Sequence, residues 1–265
     1  MLASGSFQTT GSLVAGGSQP SISVYLPKVL DAIIRLTPHH ICFPNSQQLQ
    51  QETKQGLYLI AGFPHVLGAM DCTHVQWLPA DATKHIYRNR KHTHSINVQA
   101  IVDHRGLFTN ISAKYPGSVH DAYIFRHSTI NEWFQDGQYA DQGYGIQLWV
   151  MTPFANPDTN EQPAYNEAHR KTRNVVERSF GLLKSRFRCL DMTGGSLLYA
   201  PPLVCKVILV CAIVHNMCVR NNIPWDGQVD VHSEEEEEDR DEDLEGDLAN
   251  TVAGVRRRQT IADNF

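Results

Sequence analysis

The 265-residue sequence predicts a mixed α/β fold, a sheet flanked by helices, from three observations. Ile96, Val98, Ala100 and Val102 recur at the two-residue period of a half-buried strand. Asp103-His104-Arg105-Gly106 is a turn between that strand and a second β-rich run, Leu107 to Tyr115, so the pair reads as a hairpin. Two long stretches, about Asn166 to Cys189 and Leu203 to Val219, carry apolar residues in helical patterns. Hydrophobic residues make up 42% and charged residues 19%, enough to bury the core of one large domain, alone or with a small module.

The elements follow in order. Thr10 to Ala15 is a candidate short helix with Gly16-Gly17 as its end. Ser18-Gln19-Pro20 has the form of an N-cap with Pro in the first turn, and Ile22, Leu26, Val29, Leu30, Ile33 and Ile34 continue at helical spacing. Helix, glycine turn and helix outline a helix-turn-helix, interrupted by Pro27. An all-α cap on the main domain fits the same residues. Val66 to Leu78 reads as a buried strand, and the hairpin follows it. Pro116-Gly117-Ser118 stops the sheet and caps a helix from about Val119 to Phe134. Short strands are expected near Tyr139–Asp141 and Gln147–Thr152, before the two long helices. The resulting division is 1–45 helical, 50–225 core domain and 226–265 an acidic, mostly disordered tail, whose Val255 to Arg258 and Ile261 either dock back or stay mobile.

Several function classes are set aside. The most apolar stretch, Leu203 to Val214, contains Lys206 and falls short of the roughly 20 residues of a membrane span. The first ten residues have neither the basic nor the apolar region of a signal peptide. Six cysteines without a CxxC pair read as reduced thiols of an intracellular protein. Gly11 to Ser18 resembles a phosphate loop, but Gly17 stands where the lysine is needed. Cys211, His215 and Cys218 have poor zinc spacing on one apolar helix. His74 reads as structural, and Asn110-Ile111-Ser112 lies in a strand rather than an exposed glycosylation loop. The net charge of −5 conceals an asymmetry: residues 230–247 hold twelve acids and one Arg, while residues 1–229 hold 19 Lys+Arg against 15 Asp+Glu. A mildly basic body is compatible with nucleic acid.

Three acids sit where acids are costly. Asp71 lies within an apolar strand, Asp141 ends a short strand, and Glu177 is mid-helix. Each has an ordinary reading: Glu177 can pair with Arg173, and Asp141 can be a turn residue. Together, converging carboxylates call for divalent cations such as Mg²⁺ among them. Arg170, Glu177 and Lys184 share one helix face at seven-residue spacing. Arg173 adds charge there, and Lys84, Arg88, Arg90 and Lys91 form a second basic cluster. Such clusters suit phosphate contacts; solvated helix faces are the plainer alternative.

Six motifs occur in one order: Asp71-Cys72-Thr73-His74, Tyr87-Arg88-Asn89-Arg90-Lys91, Pro116-Gly117-Ser118-Val119-His120-Asp121, Ala140-Asp141-Gln142-Gly143-Tyr144, Trp149-Val150-Met151-Thr152-Pro153 and the run Val176 to Phe187, with His215-Asn216 behind them. Across nearly all of 4–222 the chain resembles the PIF/Harbinger transposases, most of all their domesticated, transposase-derived nucleases. The resemblance implies an RNase H-like sheet carrying a DDE triad of Asp71, Asp141 and Glu177. Asp121 is implied either as a fourth metal-linked acid or as the cap of its helix. It further implies two Mg²⁺ or Mn²⁺ ions, hydrolysis of DNA phosphodiesters, a Myb-like DNA-binding partner protein and residence in the nucleus. A catalytically inactive DNA-binding or protein-interaction module is the alternative expectation. The chain departs from the family pattern at Ala140 and Gln142, in the acidic insert 230–247, and in a helix-turn-helix that looks truncated.

Overall fold

A computed structural model describes residues 18–78, 84–135, 151–191, 197–225 and 252–265. Three strands form an antiparallel meander in the order β1 (Ala69–Gln76), β2 (Ser95–Val102) and β3 (Phe108–Pro116). The helices are α1 (Gln19–Ile34), α2 (Thr37–His40), α3 (Gln47–Ala61), α4 (Asp121–Arg126), α5 (Thr129–Gln135), α6 (Gln162–Arg186), α7 (Pro201–Arg220) and α8 (Val252–Ala262). The architecture is thus mixed α/β, as the alternating and helical periodicities require.

The β2–β3 turn forms because Asp103 serves as its template. Its Oδ1 accepts from the amides of Arg105 at 2.9 Å and Leu107 at 3.0 Å, and the Arg105 guanidinium closes on Oδ2 at 2.8 Å. Gly106 supplies the left-handed φ of +79° that the return needs. In the register, Asp71 faces Ala100, Cys72 faces Gln99 and His74 faces Asn97. Contrary to the half-buried expectation, all eight residues of β2 are buried. It is the central strand, and helices cover both of its faces.

On one face, Ala69, Val75, Ile96, Val98, Ala100 and Val102 pack with Val175, Val176, Phe180 and Leu183 of α6 and with the inner side of α7. Helix α7 has the length and apolarity of a membrane span, half of it buried within the protein. Its apolar residues fill this core, and Asn216 ties it to the sheet. The Asn216 amide donates to Phe108 O at 2.7 Å and accepts from Phe108 N at 2.9 Å, satisfying the start of β3. On the other face, Ile101 and Met70 pack with Phe125 of α4 and Ile130 and Phe134 of α5.

Helix α1 is capped by Ser18, whose Oγ accepts from Ser21 N at 3.3 Å, and it continues through Pro27. Leu30 enters the main core, and Asp31 pairs with Lys206 of α7 at 2.6 Å. This is the packing of a helical cap; the candidate helix Thr10 to Ala15 lies outside the described residues. The single helix expected over 119–134 is two. Ser128 Oγ accepts from Asn131 N at 3.2 Å and starts α5 afresh. Ser118 does not cap α4; its hydroxyl donates to Ile86 O.

The long helix α6 begins at Gln162, one turn earlier than expected, and ends before Phe187. Of the two alternatives for the C-terminal residues, docking holds. Ile261 and Ala262 join Phe63, Tyr165 and Ala168 in a third apolar cluster, and Arg258 donates to Thr152 Oγ1 at 3.0 Å and lies over Phe154. The acidic run 230–247, the expected strand at 139–141 and residues 147–150 of the strand expected over 147–152 lie outside the described residues, while Met151 and Thr152 are not in a strand.

Candidate active site

Asp71 sits in β1 between Met70 and Cys72 and points to the α6 face of the sheet, with Ala69 and Val75 two and four residues away on that face. Its side chain is 7% exposed. A carboxylate there needs charge compensation and hydrogen bonds. The amide of Cys72 donates to Oδ1 at 2.8 Å. From α6, Arg173 brings Nη2 to 3.5 Å of Asp71 Oδ1 and Nε to 3.7 Å of Glu177 Oε1. One guanidinium therefore lies against both acids. The Arg173–Glu177 pair is the ordinary i,i+4 reading of the sequence; its extension to Asp71 is what the fold adds. Val175 and Val176 anchor this stretch of α6 in the core, fixing which side of the helix meets β1.

The residue after Asp71 points the other way. Cys72 is buried beside Gln99, whose Nε2 lies 3.8 Å from the sulfur. Burial, followed by the negative charges of Asp121 and Asp71 and a hydrogen bond to Asp121, holds the thiol protonated, its pKa well above the usual thiol value. Asp121 opens α4 and accepts from Asn97 Nδ2 at 2.8 Å; the same Asn97 nitrogen donates to Val119 O at 2.9 Å. Asp121 is thus held through Cys72 and Asn97 rather than capping first-turn amides.

Two of the sequence motifs meet at an exposed corner. Asn89 is buried and clamps the loop, donating to Thr93 Oγ1 at 2.8 Å and Ser95 Oγ at 3.1 Å, while Arg88, Arg90 and Lys91 remain exposed. Tyr87 packs on Trp77 with ring centroids 4.5 Å apart. Arg90 Nη2 lies 2.7 Å from His120 Nδ1. Gly117 is required where the motifs cross, since a side chain would strike Ser95 and the carbonyl of Tyr87. On α6, Arg170 and Lys171 both bind Glu167, at 2.9 and 3.2 Å, and Lys184 is half-buried in the last turn.

His215 is fully buried, its Nε2 3.2 Å from Gly106 O and its ring edge-on to Phe108, in keeping with core packing rather than a zinc site. Burial lowers its pKa to about 4. His74 Nδ1 meets Ser95 Oγ at 2.9 Å, a structural contact.

Asp71 and Glu177 are therefore brought together, Asp121 lies behind β1, and Asp141 is outside the described residues. Among the described residues no group of three or more His, Cys, Asp or Glu gathers around one point. The two gathered donors are carboxylate oxygens, the type that Mg²⁺ and Mn²⁺ select, and they already share a cation in Arg173. That donor chemistry fits a divalent metal. The Asn97–Asp121 bond and the reach of Arg173 to Asp71 have no sequence-local signal. Asn97 and Gln99 were visible as the polar alternates in an apolar strand, but their partners were not.

The DDE superfamily endonuclease family matches residues 70–216, which contain Asp71, Asp121, Asp141 and Glu177. The protein named "Putative nuclease HARBI1" from Bos taurus is 35% identical over 92% of this chain and 73% of its own length. The human protein of that name is 34% identical over the same shares. The Arabidopsis thaliana protein named antagonist of like heterochromatin protein 1 is 25% identical over 86% of this chain and 64% of its own length. No solved structure matches. The chain belongs to the DDE superfamily endonucleases, among the Harbinger transposase-derived nucleases.

Proposed function

We propose that the chain is a divalent-metal-dependent DNA endonuclease in which Asp71, Asp141 and Glu177 hold the metal. The observation that carries this reading is Asp71, a 7% exposed carboxylate on an apolar sheet face, drawn together with Glu177 across Arg173. Burying a charge costs several kcal/mol, and Arg173 and the Cys72 amide compensate it at a position where an apolar residue would need no compensation.

Mg²⁺ or Mn²⁺, when bound, supplies Lewis-acid polarisation of the scissile phosphate and lowers the pKa of a coordinated water. The protein contributes position and charge. Strand β1, pinned by its eight-residue register with β2, holds Asp71; α6, anchored by Val176 and Phe180, holds Glu177. The Cys72 amide fixes the orientation of the Asp71 carboxylate. Arg88, Arg90 and Lys91 are exposed on a clamped loop and suit the DNA backbone, where affinity should fall with salt. By family resemblance the work is done in the nucleus with a Myb-like partner protein.

The second reading, a silent binding module on the same fold, draws on the same Arg173, since acids already paired within the chain are also what an inactive descendant would keep. Supercoiled-plasmid nicking separates the two. Purified protein should nick with Mg²⁺ or Mn²⁺ and not with EDTA, and Asp71→Ala should remove the activity. A well-folded protein that does not nick, with a Myb-like partner present, would favour the silent module.

A further inference from the structure

We infer that Tyr123 is a stacking platform for an unpaired nucleobase, so that the DNA this chain takes is single-stranded, or opened to a single strand, beside the loop of Arg88, Arg90 and Lys91. This rests on DNA being the ligand, and on none of the acids proposed to hold metal.

The platform is built from three rings. Tyr123 stands on α4 and is 48% exposed, while its neighbours Ala122, Ile124 and Phe125 are buried and fix the helix. His127 lies nearly parallel to it, with ring centroids 4.0 Å apart and 26° between the planes. Tyr115 of β3 meets Tyr123 in a T-shaped contact at 6.3 Å. Both supports are tied in place: His127 Nδ1 lies 2.8 Å from Tyr123 O, and the Tyr115 hydroxyl donates to His127 O at 3.3 Å. With His127 on one side and nearly half of the residue in solvent, Tyr123 offers its other side to a flat partner. The fold makes little use of the ring itself. The end of α4 is closed by the His127 amide and Nδ1 on the main-chain carbonyl of Tyr123, which any residue would supply. A ring already oriented by its neighbours lowers the ordering cost of binding.

Charge selects the occupant. Residues 84–92 and 114–129 hold six Lys or Arg and one acid, Asp121, which is turned to Asn97 and Cys72. The basic loop and the platform adjoin, since Arg90 Nη2 lies 2.7 Å from His120 Nδ1 and His120 immediately precedes α4. Lys114 Nζ lies 5.3 Å from the centroid of Tyr115, and Arg126 is exposed on α4. A neutral apolar peptide gains nothing from such a field. A polyanion carrying flat bases uses the cations and the ring together. In an intact duplex the base faces are covered by their neighbours, so only an unpaired base can reach Tyr123. Helix α4 covers the sheet face opposite Asp71, which keeps the platform apart from the acids.

The test is DNA binding by the full chain in EDTA, which keeps divalent metal away, for wild type, Tyr123→Ala and Tyr123→Phe, with melting temperatures measured beside it. The probes are an oligothymidylate carrying one 2-aminopurine, which begins bright because it stacks weakly on thymine, and a fully paired duplex. Wild type should quench the 2-aminopurine as it binds. Tyr123→Ala should bind the single strand about tenfold more weakly and lose the quench, with duplex affinity within about twofold of wild type. Tyr123→Phe keeps the aromatic face and should match wild type on both probes. If Tyr123→Ala does not fold, the wild-type quench and Tyr123→Phe carry the test. Wild-type single-strand affinity in folded Tyr123→Ala, equal loss on both probes in that variant, or single-strand binding by wild type without a quench would overturn the inference. Binding of the duplex alone would overturn it and leave the DNA-binding reading standing. Binding of neither probe by folded wild type would overturn that reading, and the platform with it.

Discussion

On the sheet face that meets α6, Asp71 is a carboxylate among Ala69, Val75, Val98 and Ala100. On the face that meets α4, Cys72, Gln99, Asn97 and Asp121 adjoin one another. The apolar face compensates its acid with a cation, Arg173. The polar face compensates its acid with neutral donors, the amide of Asn97 and the thiol of Cys72. A carboxylate held by neutral donors is anchored in a structural network. A carboxylate that faces a guanidinium is compensated by a full opposite charge from another element. The comparison therefore separates Asp71, which faces a guanidinium brought from α6, from Asp121, which is held by Asn97 of the central strand.

The largest stability effect should come from the apolar face itself. Phe180 is buried against Phe108, and Phe180→Ala should cost about 3–5 kcal/mol in denaturant unfolding. A loss below about 1 kcal/mol would mean that this face is not the main core.

The next effect concerns His215, a titratable group that this face accommodates by keeping it neutral. Its pKa falls to about 4 in the fold from the ordinary 6.5. Between those values the unfolded chain binds a proton that the native chain does not, so stability rises with pH across the window and is lost as pH drops from about 6.5 toward 4. The loss should reach about 3 kcal/mol at most. Urea titrations at several pH values should show it in wild type and not in His215→Gln. An equal acid slope in both would assign it to other groups.

On the polar face, Asn97→Asp keeps the shape, removes the donor to Val119 O and Asp121, and sets two acids together. The expected cost is about 3 kcal/mol at pH 7. A loss of Mn²⁺ affinity in this variant with stability unchanged would move Asp121 into the metal site and erase the distinction between the two faces.

How much of this was legible follows from the range of each interaction. The β2–β3 hairpin was readable because Asp103 and Gly106 lie within five residues of every group that they organise. Asp71 was readable because a charge in an apolar run violates a local pattern. Asn97 with Asp121 was not, since it joins residues 24 apart and depends on where α4 is set down after β3. The break at Ser128 is hidden in the sequence because a serine inside an apolar-periodic run reads as a tolerated surface residue, and only the fold brings its hydroxyl to the Asn131 amide. The docking of α8 is not legible in the sequence because Ile261 has no sequence-local partner; Phe63 and Tyr165 are supplied by tertiary structure alone.

The smallest stability effect sharpens the comparison most. Glu177 is 35% exposed and its pair with Arg173 is long, so Glu177→Gln should change unfolding free energy by no more than about 1 kcal/mol. Arg173 keeps Asp71 as a partner in that variant, which leaves no buried charge uncompensated. The carboxamide occupies nearly the same volume but brings a neutral oxygen where a metal would take a charged one. Stability and metal-dependent nicking should therefore come apart, the first near wild type and the second lost. Phe180→Ala and Asn97→Asp act through the fold and cannot produce that separation. Mn²⁺-dependent nicking at the wild-type level in Glu177→Gln would take Glu177 out of the site and leave the Arg173–Glu177 contact as an ordinary pair of neighbours on a helix.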